Sequence, residues 1–174
     1  ESGITTVQHI HGWLPGDLDG VRDRVGEVLR AYDDIGMRAS YCYALRDQNR
    51  LVYQADADLV ASLPRELQDP MKRFFDRFRV NLDESMTLFK DLHREHNAKP
   101  RMRIQLAPAN LHWCSDRALE TLSEASSAFD APLHMHLLET AYQKEYAKRR
   151  GGCTAVDYIE RFDLLSPRLT LGHG

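Results

Sequence analysis

LHMHLLET, Leu133 to Thr140, is the stretch on which the reading of this chain turns. It is a short apolar run with histidines at i and i+2, which an extended strand presents on one face. A carboxylate, Glu139, follows three residues after the second histidine, where the run bends away toward a helical pattern. The spacing predicts a strand over Leu133 to Leu138 whose end carries His136 and Glu139. Imidazole and carboxylate gathered at a strand end are the groups that acid-base or metal-assisted chemistry requires. His9-Ile10-His11 repeats the same spacing near the start of the chain.

Working outward, short β-branched or aromatic runs alternate with longer amphipathic stretches, the pattern of consecutive β-α units around a parallel sheet. The first strand is expected from Ile4 to His11. A helix follows from about Asp17 to Asp34, with Leu18, Val21, Val25, Val28, Leu29 and Tyr32 at helical spacing and Gly36 as its stop. The second strand runs from Met37 to Leu45, with Tyr41 and Tyr43 on one face and Cys42 and Ala44 on the other. The connection from Arg46 to about Leu63 is long enough to act as a lid or a substrate wall. Helical patterns follow over Pro70 to Phe78 and Asp83 to His96, then a strand over Met102 to Ala107 and a helix capped by Ser115. Beyond LHMHLLET, helices near Tyr142 to Arg150 and Thr154 to Phe162 precede a last strand over Leu169 to Gly172.

The 174 residues, 43% of them hydrophobic, suffice for one domain with a sizeable core. A net charge of −3, with lysine and arginine scattered among acids, gives no footprint for nucleic acid. No apolar run approaches the roughly 20 residues of a membrane helix. Cys42, Cys114 and Cys153 form neither a disulfide framework nor a C-x-x-C metal motif, which fits a reducing cytoplasm and reads most simply as three inert small hydrophobes. A small-molecule partner is expected. Glu1-Ser2-Gly3 reads as the tail of a preceding helix, and His173-Gly174 stops where a strand hands over to its loop, as in an excerpt of a longer protein.

The titratable residues lie at predicted strand ends, where the βα loops of a parallel β/α barrel open onto one catalytic face. Four stretches, Ser2-Gly3-Ile4-Thr5-Thr6-Val7, Ile104-Gln105-Leu106-Ala107-Pro108 with Cys114-Ser115, His134-Met135-His136-Leu137-Leu138-Glu139-Thr140, and Leu171-Gly172-His173-Gly174, occur in this order. In them the chain resembles the amidohydrolase superfamily, in its branch of cytosine and guanine deaminase-like and triazine hydrolase-like enzymes. The resemblance implies an α/β fold, part of a TIM (β/α)8 barrel spanning strands two to six, and one divalent ion, zinc first and iron as the alternative.

Position by position, the resemblance makes His136 the strand-five metal ligand, Glu139 the proton-shuttling carboxylate and His173 the strand-six histidine that steadies the attacking water. His134 packs one layer deeper. His9 and His11 look like the family's strand-one metal pair but fall on strand two, so His11 is expected with Trp13 in the substrate pocket, together with Tyr43, Gln48, Asn110 and His112. Ala109 stands where many deaminases of this branch carry a histidine, with His112 as the nearest substitute. His93 and His96 are expected to be solvated.

The implied activity is hydrolysis of carbon–nitrogen bonds other than peptide bonds, on an N-heterocycle or an amide, by metal-activated water. Dechlorination fits the same scheme. A non-catalytic barrel fragment in an assembly is a rival, as is a doubly wound nucleotide-binding sheet, although no Gly-rich phosphate turn is present. Because the strand-one histidines and a strand-eight aspartate are missing from these residues, the stretch alone is expected to hold metal weakly and to be inactive. Its two open parallel edges call for a homo-oligomer or for completion by further segments.

Overall fold

The computed structural model describes residues 3–173; the readings that rest on Glu1, Ser2 and Gly174 fall outside the described residues. β1 (Thr6–Gly12) and β2 (Arg38–Leu45) pair in parallel from Thr6 opposite Arg38 to Gly12 opposite Ala44. A parallel pair needs a crossover, and α1 (Leu18–Asp34) supplies it. The Asp17 side chain caps α1 by accepting from the Gly20 amide, and Val21, Val25 and Leu29 form its buried stripe.

After β2 come α2 (Asp56–Ser62), α3 (Arg65–Phe75) and α4 (Leu82–His96), the last opened by an Asn81–Glu84 capping box. β3 (Met102–Ile104) and β4 (Ala107–Pro108) both lie parallel to β2. A single 3-10 turn over Leu111–Trp113 leads to α5 (Asp116–Phe129), whose N-cap is Ser115. β5 (Leu133–His136), α6 (Ala141–Gly151), α7 (Ala155–Glu160) and β6 (Leu169–Gly172) complete the described chain, β6 pairing in parallel with β5. The two sheets meet at a parallel bridge between Leu106 and Leu133, reinforced by His134 N donating to Leu106 O (2.9 Å) and His136 N to Ala109 O (3.3 Å). The fold is α/β with parallel sheets; the described residues do not close a barrel.

Some boundaries move. The strand expected over Met102 to Ala107 is interrupted at Gln105 and Leu106, because Leu106 turns its hydrogen bonds to the β5 side, its N donating to Pro132 O. The long connection ends early: α2 already begins at Asp56, and the irregular part is 46–55. Pro70 lies inside α3, on an exposed side where water can serve the carbonyl that proline cannot. β5 stops at His136 because Leu138 takes a left-handed conformation (φ 61°), which ends the extended run.

The sheet has two unlike faces. Ala39, Tyr41 and Leu45 pack with Val21, Val25 and Leu88 in the large core under the helices. The opposite face is lined by the small side chains of Cys42, Ala44, Ala107 and Ala109, with Ile10 and Trp113 against them. Small residues there leave room above the sheet, and a cleft opens in that room.

Candidate active site

β5 and β6 lie side by side, so the residues leaving their C-terminal ends emerge together. The His136 and His173 rings are 5.3 Å apart, and His173 Nε2 stands 4.0 Å from Glu139 Oε1. Leu138 and His173 both have left-handed backbones (φ 61° and 68°) immediately past their strands. Non-glycine residues in that region are costly and cluster where geometry is imposed; the turn at Leu138 brings Glu139 back over the strand end. Glu139 precedes the Thr140 N-cap of α6, where the helix dipole favours a carboxylate, and its amide donates to Gln143 Oε1 (3.0 Å). The Glu139 and His173 side chains are about half exposed, which leaves both within reach of a ligand.

His136 borders a cleft of about 480 Å³ whose other lining includes Ile10, Ala44, Arg46, Ala109 and Trp113. Its ring lies against Gly172: a Cβ on that residue would sit 2.8 Å from His136 Cδ2 and 3.5 Å from the Nε2 atoms of His134 and His136. Among the described residues no hydrogen bond engages the His136 ring, and His134 Nε2 is buried without a partner. Imidazole nitrogens facing a cleft are suited to zinc or iron. No three His, Cys, Asp or Glu side chains converge on one point among the described residues, so a full ligand set is not contained in them.

The other predicted residues are placed as follows. β1 extends to Gly12, so His9 and His11 lie within the strand and face the helical layer. Their rings stack at 4.9 Å, His9 Nδ1 meeting Tyr32 OH (2.9 Å) and His11 Nδ1 meeting Tyr41 OH (2.8 Å). Burial lowers the pKa of both. Tyr43, opposite His11 in register, packs against the same helical core. His11 and Tyr43 point away from the face that carries His136, whereas His9, with Tyr32, also borders the cleft that His136 lines. Trp13 stacks on Phe78 at 4.0 Å, forming a wall with the helical segment beyond the long connection.

Gln48 reaches the turn after β4, its Nε2 donating to Cys114 O (3.0 Å) and His112 O (3.3 Å). Asp47 supports the same junction by accepting from Ser115 N (2.8 Å). His112 is buried, donates through Nδ1 to Asn110 Oδ1 (3.1 Å) and is held near a pKa of about 4 by burial and by the Arg46 cation. Gln48, Asn110 and His112 thus form one packed unit beside the cleft. His93 and His96 each keep a buried, unpartnered ring nitrogen rather than standing in solvent, because the rings lie back against their neighbours; His93 packs on Phe89 and Phe129.

Two side chains at the cleft carry no motif in the sequence. Arg46 lies over the Trp113 ring at 3.4 Å, and Gln8 reaches from β1 to His134 Nδ1 (2.9 Å). Parity offers the one available signal: Arg46 continues the face of Ala44, and Gln8 shares the face of Ile10.

A family model described as "Amidohydrolase family" matches residues 1–174. The chain is 27% identical over 173 residues to an 8-oxoguanine deaminase of Pseudomonas aeruginosa, which covers 99% of this chain and 34% of that protein. Among solved structures, an atrazine chlorohydrolase of Arthrobacter aurescens complexed with zinc superposes with a TM-score of 0.71 at 20% identity, over 98% of this chain and 34% of that one. A guanine deaminase of C. acetobutylicum with bound guanine gives 0.73 at 15% identity, again over 98% and 34%. These structural likenesses concern the fold. The chain spans 34% of the length of the curated relative.

Proposed function

This chain belongs to the amidohydrolase family, and from that premise we propose that it forms strands two to six, with their helices, of a single metal-dependent β/α-barrel domain that hydrolyses carbon–nitrogen bonds other than peptide bonds. The observation that carries the reading is the meeting of His136, Glu139 and His173 at the C-terminal ends of two adjacent parallel strands, beside a cleft of about 480 Å³. In a β/α barrel that end is where the catalytic loops open. The substrate is a small N-heterocycle or amide, in keeping with the purine deaminase relative. The protein acts in the cytoplasm, as a homo-oligomer or completed by further barrel segments; no helix among the described residues is long and apolar enough to cross a membrane.

His136 would hold one divalent ion, zinc before iron, with the remaining ligands drawn from outside this stretch. Bound there, such an ion supplies Lewis acidity and lowers the pKa of the attacking water toward ~7 from ~15.7 in bulk. Glu139 takes the proton from that water and returns it to the leaving nitrogen, a transfer its half-exposed position beside the cleft allows. His173, whose Nε2 stands 4.0 Å from Glu139 Oε1, holds the water by hydrogen bond, while Gln143 steadies Glu139. The Gln48–Asn110–His112 unit and Trp13 shape the pocket wall and exclude water, rather than taking part in proton transfer.

The test is ammonia release from a panel of aminopurines and amino-triazines by the full-length protein, before and after chelation. Activity should vanish with chelator and return with zinc, and Glu139→Gln should lower kcat at least 100-fold while zinc stays bound. Turnover that survives chelation, or a His136→Ala variant with undiminished zinc content, would refute the assignment.

A further inference from the structure

The inner face of the sheet is not uniformly apolar. Beneath the cleft, four polar side chains from three strands and one linking segment form one hydrogen-bonded string: Ser40 on β2, Gln105 between β3 and β4, Gln8 on β1 and His134 on β5. Gln105 Nε2 donates to Ser40 Oγ, leaving Gln105 Oε1 to accept from Gln8 Nε2 at 3.3 Å. The same Gln8 amide nitrogen lies 2.9 Å from His134 Nδ1. An amide nitrogen has two hydrogens and no lone pair to offer, so it serves both neighbours as donor. With the amides in this orientation His134 Nδ1 accepts, which places the ring proton on Nε2.

That Nε2–H is buried, in a residue only 6% exposed, and has no partner among the described residues. Buried donors are nearly always satisfied, so an exception calls for a reason. This one faces the notch at Gly172, the space that the His136 edge also occupies. The two rings meet edge to face, 5.0 Å apart with 83° between planes. Among the described residues His136 has no hydrogen bond of its own to fix its torsion; what flanks the ring is the Gly172 notch, His134 and His173.

We infer that His134 is a positioning residue for His136, anchored by Gln8 from the first described strand, so that the string across the inner face sets the angle at which His136 presents its ring to the cleft. Imidazoles that hold metals are oriented by their outer partners, whose loss costs about 10- to 100-fold in affinity. Here the orienting contact is a second ring rather than a carboxylate, and its anchor lies 126 positions away in sequence. The inference rests on the reading of His136 as the metal-holding residue, and its test separates the two.

Full-length protein with ¹⁵N-labelled histidine is compared with Gln8→Leu and Gln8→Glu by long-range ¹H–¹⁵N spectra, and Co²⁺ affinity is measured on the same samples. The expected wild-type spectrum shows His134 neutral with the proton on Nε2. Gln8→Glu moves that proton to Nδ1, because a carboxylate accepts where the amide donated. Gln8→Leu shifts the His136 ring signals and weakens Co²⁺ binding about 10- to 100-fold, and adding His134→Leu costs little more, as expected of one relay. A wild-type proton on Nδ1 would overturn the inference, as would His136 signals and Co²⁺ affinity unchanged in folded Gln8→Leu. A wild type that binds no Co²⁺ but shows these spectral changes would remove the metal reading and leave the positioning role supported.

Discussion

Gly172→Ala probes the site by the smallest possible addition. Gly172 is not in a left-handed conformation, so alanine costs nothing in the backbone and the whole effect comes from the new methyl. That carbon would stand 2.8 Å from His136 Cδ2, whereas carbon atoms pack best at about 3.5–4.0 Å. The neighbouring ring must therefore retreat by roughly 0.7 Å. His134 stands edge to face with that ring, 5.0 Å away and tied to Gln8, and limits its movement on that side. Overpacking of this kind costs about 1–3 kcal/mol of stability. Catalytic geometry is more sensitive: a displacement of about 1 Å costs on the order of 100-fold, which puts the expected loss in kcat/KM near tenfold or somewhat more. Zinc affinity from competition with a chelating dye, kcat/KM for ammonia release, and the urea midpoint would be measured on the full-length protein. A variant with wild-type zinc affinity and turnover would refute the claim that the notch at Gly172 seats the ring of a functional His136.

Two further expectations concern stability. His112 is held at a pKa of about 4, against 6.5 for the free side chain, so the unfolded chain binds the extra proton between those values and stability falls as the pH drops through that window. The loss amounts to about 3 kcal/mol at the acid end; it should be absent in His112→Phe when urea unfolding is compared at pH 7 and pH 4, and equal slopes for the two proteins would contradict it. Asn81→Ala removes the side-chain half of the capping box that opens α4, in which Asn81 Oδ1 accepts from Glu84 N at 3.0 Å, and leaves the backbone N–H of residue 81 to donate to Glu84 Oε2. A destabilisation of about 1 kcal/mol is expected, read as a shift in the urea midpoint with unchanged activity.

Much of the architecture is legible in the residue pattern. Asp17, Ser115 and Thr154 announce helix starts and do cap α1, α5 and α7, because a short oxygen-bearing side chain satisfies amides that the first turn leaves open. β6 falls on Leu169–Gly172 as expected, since Pro167 before it and Gly172 at its end leave the strand little freedom to extend. Pro70 misleads for a local reason: proline favours helix starts, yet α3 begins at Arg65 and carries Pro70 on its exposed side. At the site, the spacing of His136 and Glu139 signals that both leave the same strand end. No spacing within one segment could signal Arg46 over Trp113, or Gln8 against His134, because those contacts join segments that the chain holds far apart.

By itself the sequence determined which side chains travel together: period-2 alternation puts His9 with His11, Gln8 with Ile10, and His134 with His136, whatever the fold. It could not determine which set faces inward, since reversing every strand satisfies the same alternation. Only the packing of α1, with its Tyr32, over Tyr41 and its neighbours turned His9 and His11 toward the helices, and only the bridge that joins β5 to the first sheet brought Gln8 against His134. The physical reason is that a strand's two faces are locally equivalent until something covers one of them, and what covers these comes from distant parts of the chain.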